Sequence, residues 1–230
     1  MKYYWKTYSE KLMKYEHFVN KPPQTPYAAT WDYAISLVDL PINVNKLAKT
    51  CLSKEKEILK LPFSVGPNGK FTDGYTGVGK NTTTTRFQHY NVLAWDTYET
   101  NLLKKLVKTN IGVYNKLAGN PTSQYMWARC WVNILRWGAK LQTHLHTTDS
   151  NGYLSAHFTV QATDTDTCYV NPINAINDPP VYREKNKGGK LTIFPSNVPH
   201  YTTRHYSLQP RITIAMDISL QNRAENWILL

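Results

Sequence analysis

Cysteine is scarce: Cys51, Cys130 and Cys168 stand far apart in 230 residues and form no CxxC pair. That excludes a disulfide framework and a thiolate zinc site, and reads as free thiols in a reducing compartment. Long apolar runs are missing too. No stretch approaches the roughly 18 uninterrupted apolar residues that span a bilayer. The opening MKYYWKTYSEKLMKYEH interleaves Lys and Glu where a secretory leader needs an apolar run of about 7 to 15. A soluble, cytoplasmic chain without a membrane partner is expected. Acidic residues are also few, 16 against 27 Lys and Arg, for a net charge of +11. Such a balance permits an anionic partner, but the basic residues hardly cluster. The nearest patch, Arg183 to Lys190, also reads as a solvated loop between strands. Nucleic acid therefore remains a partner that charge allows and no motif supports.

What is present suits a compact fold. Hydrophobic residues make up 41%, with 16 Tyr, 7 Trp and 6 Phe, enough apolar surface to offset chain entropy. No repeat or linker divides the chain, so residues 1–230 are expected to form one domain. Within it, 1–129 should be mainly helical support and loops, and 130–220 a β core. Leu37 to Leu40 reads as a short strand stopped by Pro41, and Val44 to Leu59 carries an approximate helical stripe. Gly66 to Thr85, rich in Gly, Thr, Asn and Lys, marks a long loop, a length usually kept for function. A second helix is expected from Asp96, where Asp96 and Glu99 have capping-box spacing, to Gly119. From there the period changes to two. Trp131–Trp137, Leu154–Ala162, Lys190–Phe194 and Arg211–Ile218 read as strands.

The chemistry-bearing stretch is Trp137 to His146, ending in His144-Leu145-His146. Histidines two apart on extended chain point to one side, so both imidazoles can reach one ion. His200 follows the segment Lys190 to Pro199, and Arg211 opens the last alternating strand. There Arg211 and Thr213 share a face, suited to gripping a carboxylate with a planar guanidinium and a hydroxyl. Other signals read blandly. Gly74 to Asn81 has phosphate-loop spacing, but Asn81 replaces the Ser/Thr and no buried strand precedes it. His157, inside a strand, reads as a packed residue, and His17, His89 and His205 lack partners at useful spacing.

Taken in order, Trp131-Val132-Asn133, His144-x-His146, Leu154-Ser155-Ala156, Phe194-Pro195-Ser196, His200 and Arg211-x-Thr213 resemble the 2-oxoglutarate and iron(II)-dependent oxygenases, in particular the prolyl-hydroxylase-like branch with its marine bacterial and phage members. The similarity covers residues 130 to 218. It implies an α+β chain: a double-stranded β-helix, or jelly roll, in the C-terminal half, with supporting helices from the N-terminal half. It also implies Fe(II) held by His144 and His200, and 2-oxoglutarate as co-substrate on Arg211 and Thr213, with Asn133 and Tyr153 as further cofactor-binding candidates. The activity implied is that of a dioxygenase oxidising an unidentified small-molecule or peptide substrate, with release of succinate and carbon dioxide. One departure is clear. Better-known members carry a carboxylate where this chain has His146; the third ligand is expected to be His146, whose spacing needs no distortion, with Asp149 as the alternative if the loop bends back. Two other readings stay open: a metal-containing β-helix that binds without turnover, and a three-histidine cupin-type dioxygenase that does not use 2-oxoglutarate. The substrate and the oligomeric state are not encoded in any pattern.

Overall fold

The computed structural model describes residues 12–19, 25–27, 32–121, 125–146, 152–171, 180–223 and 226–230. Ten strands and two α-helices are assigned among them: β1 (Lys14–Val19), β2 (Asp32–Asp39), α1 (Val44–Ile58), α2 (Tyr98–Leu117), β3 (Trp127–Leu135), β4 (Leu154–Gln161), β5 (Asp166–Val170), β6 (Val181–Lys185), β7 (Lys190–Pro195), β8 (His200–Thr202), β9 (Arg211–Ser219) and β10 (Ile228–Leu229). A seven-stranded sheet runs β1-β2-β7-β4-β9-β3-β10, and a three-stranded sheet runs β6-β5-β8. Both are antiparallel wherever strands pair.

Period two decides what each face of the large sheet does. On β9, Ile212, Ile214, Met216 and Ile218 join the core, and Ala128, Cys130, Val132 and Ile134 do so on β3. The helices cover this face with Leu47, Ala48, Cys51 and Ile58 from α1 and Leu103, Leu106, Val107 and Ile111 from α2. Removing such side chains from water is worth about 1.5–3 kcal/mol each, which holds the helices on the sheet. Arg136 at the end of β3 adds a two-pronged pair to Glu55 of α1, at 2.7 Å for each bond. The opposite face of β3, β4 and β9 looks inward, toward the small sheet.

Several expectations change. The N-terminal part is not only helical support, because β1 and β2 extend the large sheet beside β7. Helix α2 is capped one residue later than Asp96: the Thr97 and Thr100 side chains make the reciprocal capping box. Asp96 itself has φ +50°, outside helical geometry. The phosphate-loop look-alike, Gly74 to Asn81, leads only into a four-residue 3-10 turn, Thr83–Arg86, which fits its bland reading.

Candidate metal centre and its cavity

The segment before the histidine pair is zipped onto β8. Thr202 N donates to Leu141 O (3.1 Å), His144 and His200 exchange backbone bonds of 3.0 and 2.9 Å, and His146 N donates to Ser196 O (3.0 Å). This pairing puts the HxH side chains against His200. One ligand atom from each of His144, His146 and His200 lies within 4.8 Å of the others. Ring centroids are 4.3 Å apart for His144 and His200, 5.2 Å for His146 and His200, and 5.6 Å for His144 and His146.

Each ring is also held from behind. Nδ1 of His144 meets Gln142 O at 2.8 Å, and Nδ1 of His200 meets Val198 O at 3.1 Å. Nδ1 of His146 meets the Asp217 carboxylate. With a proton on each Nδ1, the lone pairs sit on Nε2, the tautomer a metal needs. Burial, reinforced by the neighbouring imidazoles, lowers His144 to about 4 and His200 well below the ordinary range, so both are neutral at pH 7. Three imidazoles converging with free lone pairs suit iron.

The histidines open into a cavity of about 490 Å³. Its floor is the inward face of the large sheet, built row by row from cross-strand partners. Arg129 pairs with Asp217, Trp131 with Ala215, Asn133 with Thr213, and Leu135 with Arg211. Arg211 is 1% exposed, yet among the described residues its Nε and Nη1 meet no hydrogen-bond partner, and neither does Thr213 Oγ1. Burial pulls the guanidinium down to about 10, which leaves it charged at neutral pH. A buried cation with open donors is costly unless an anion meets it. Arg211 and Thr213, in the same cavity as the imidazoles, could therefore take a carboxylate.

The remaining candidates divide. Asn133 lines the cavity, and its Oδ1 accepts from Thr84 Oγ1 at 2.7 Å. Tyr153 does not reach the site: it precedes β4, packs beside the helices, and its hydroxyl takes a hydrogen bond from Asn115 of α2 at 2.7 Å. Asp149 lies outside the described residues. His157 is packed, with Nε2 on Tyr169 Oη at 2.6 Å, but it also borders the cavity and its Nδ1 is unpartnered. His17 has a partner after all, Asp32 across the β1–β2 pair. Sequence reasoning missed Asp217 and Arg129, joined at 2.7 Å through Asp217 Oδ2. The signal was available: Asp217 has the same strand parity as Arg211 and Thr213. The far wall comes from the long loop, with Val65 to Pro67, Thr72 to Thr76 and Thr84 facing the cavity.

Sheet order, the three converging imidazoles and the open Arg211 donors form an arrangement that could hold a metal ion beside an anionic ligand. Residues 129–217 match the family model described as "Putative 2OG-Fe(II) oxygenase". This stretch, from β3 into β9, is similar to the 2OG-Fe(II) oxygenases over 89 residues, 129 to 217. Among solved structures, a Pseudomonas putida prolyl-4-hydroxylase is similar at 12% identity and TM-score 0.53, covering 82% of this chain and 93% of its own. A prolyl hydroxylase from Trichoplax adhaerens, solved with a hypoxia inducible factor peptide fragment, is similar at 13% identity and TM-score 0.55, with 81% and 83% covered. AviO1 from Streptomyces viridochromogenes Tue57 is similar at 10% identity and TM-score 0.51, with 80% and 89% covered. At these identities the likeness is one of fold, the double-stranded β-helix. No curated protein matches the chain significantly.

Proposed function

We propose that this chain is a 2-oxoglutarate-dependent dioxygenase in which His144, His146 and His200 hold Fe(II), while Arg211 and Thr213 take the distal carboxylate of 2-oxoglutarate. The observation that carries the assignment is Arg211. It is a fully buried guanidinium with two open nitrogens, on the floor of the cavity the histidines border. When bound, iron and 2-oxoglutarate supply oxidative decarboxylation to succinate and carbon dioxide, coupled to oxidation of a substrate C–H bond. The protein's own work is positional. Backbone pairing to β8 sets the imidazoles, the sheet face sets the carboxylate seat, and Phe87, Trp131 and Phe194 give the cavity apolar walls.

The substrate reading is a peptide segment or a small molecule that enters over the long loop. Tyr75, 76% exposed, stands at that mouth, and the Trichoplax structure holds a peptide. Helices, first strands and β core act as one catalytic unit, and the free, buried Cys51, Cys130 and Cys168 suit a reducing cytoplasm. The three-histidine dioxygenase without co-substrate is disfavoured, because it has no use for a carboxylate seat at Arg211.

The test is succinate. Iron(II)-loaded protein supplied with 2-oxoglutarate and oxygen should release succinate above the level of a His200→Ala variant, even uncoupled from the true substrate. Stoichiometric iron binding with no succinate across a broad substrate panel would move the chain to the non-turnover class.

A further inference from the structure

We infer that Asp217 is a positioning residue for the metal: its carboxylate, held by Arg129, fixes His146 as the most electron-rich of the three imidazole donors and supplies from behind the negative charge that a ligand carboxylate would otherwise bring. The inference rests on the metal-site reading above. Asp217 uses both oxygens, Oδ1 on His146 Nδ1 and Oδ2 on Arg129 Nη2 at 2.7 Å. Among the described residues, His144 and His200 have backbone carbonyls, not carboxylates, behind them. The charge is therefore specific to the imidazole that stands where better-known relatives carry a carboxylate.

The surroundings hold this arrangement rigid. Asp217 and Arg129 are direct cross-strand partners on β9 and β3. The Arg129 guanidinium lies 4.9 Å from the Phe87 ring centroid, 6.0 Å from Trp131 and 5.2 Å from Trp227, so the aromatic rings restrict where it can swing. Trp131 also stands 5.6 Å from the His146 ring. A carboxylate behind a ligating imidazole fixes its tautomer and raises its basicity, and loss of such a partner typically weakens metal binding by about 10- to 100-fold. Arg129 opposes this effect, because it draws carboxylate charge away from His146.

That opposition gives the test two signs. Cobalt(II) is titrated into metal-free wild type, Asp217→Asn and Arg129→Gln, with the visible d–d absorption as the readout and melting temperature as the folding control. Wild type should bind one equivalent. Asp217→Asn should bind about 10- to 100-fold more weakly with a displaced spectrum, and Arg129→Gln should bind as tightly as wild type or more so. A merely structural Asp217–Arg129 pair would weaken binding in both variants alike, or leave the spectrum unchanged in both, and either result overturns the inference. If Asp217→Asn does not fold, Arg129→Gln decides alone, since weaker binding there contradicts the assignment. Wild type that binds no cobalt at all would overturn the metal-site reading itself, an outcome separate from these.

Discussion

Two residues separate co-substrate binding from metal binding. Arg211 faces the cavity from the first position of β9 and is not among the three converging histidines. Breaking a buried charged pair by removing one partner typically costs about 3–5 kcal/mol. Arg211→Ala should thus weaken 2-oxoglutarate binding at least ~100-fold, at roughly 1.4 kcal/mol per tenfold. Thr213→Val, which removes one neutral hydrogen bond, should cost only about tenfold. Cobalt(II) or iron(II) affinity should hardly move in either variant. Anaerobic titration of 2-oxoglutarate into the metal-loaded protein checks both, and an unchanged dissociation constant for Arg211→Ala would remove the main support for a 2-oxoglutarate enzyme. Arg211→Lys should recover only part of the loss, because an ammonium lacks the planar fork.

At the level of elements, the long loop is tied to the metal face through Gln142. Gln142 N donates to Thr76 O at 2.8 Å, and Gln142 O accepts from the His144 ring at 2.8 Å. Gly77 lets this happen. Its φ is +71°, and a Cβ there would come within 2.4 Å of the Gln142 side chain. Gly77→Ala therefore combines left-handed strain of roughly 1–2 kcal/mol with crowding at the segment that carries His144 and His146. It should lower the melting temperature and slow uncoupled succinate release, whereas Gly79→Ala, with the same sign of φ but open space, should bring the strain alone. These ties also show what the sequence could and could not disclose. Strands β4, β7 and β9 were legible because their alternation runs over six to nine residues. The three-residue β8 and five-residue β5 and β6 are too short for a period to emerge. The HxH pair, His200 and Arg211 were legible as residue types at strand ends. Their convergence came from the family resemblance and not from the residue pattern, because it depends on backbone pairing between segments some 56 residues apart, His144 with His200. Tyr153 misled for a related reason: proximity in sequence to β4 says nothing about which face a residue outside the strand will take.

Over the whole molecule, the buried His157 and His200 and the half-buried His144 make stability depend on acid. Burial and the Arg211 charge lower His157 to about 3, burial lowers His144 to about 4, and His200 lies well below its ordinary value. In the unfolded chain each returns to about 6.5. Between pH 6.5 and about 4 the unfolded state binds protons that the metal-free folded state refuses, so stability rises with pH across that window and is lost as pH falls through it. Asp217, on which the contacts with His146 and Arg129 outweigh the effect of burial, is held at about 2 and adds loss of the same sign only in stronger acid, below its unfolded value. At roughly 1.4 kcal/mol for each tenfold difference in proton affinity between the folded and unfolded chain, the buried His157 has several kcal/mol at stake if fully titrated and the half-buried His144 less, set against the 5–15 kcal/mol typical of a folded domain. The metal-free protein should therefore show a urea midpoint that is flat above pH 7 and falls steeply toward pH 4.5, with a slope approaching three protons taken up on unfolding. His157→Gln, which touches no proposed metal ligand by hydrogen bond, should be less stable at pH 7 through its lost packing, yet its slope should be shallower by about one proton. Equal slopes for the two proteins would mean that His157 is protonated in the folded state and that its contact with Tyr169 is not the neutral one described.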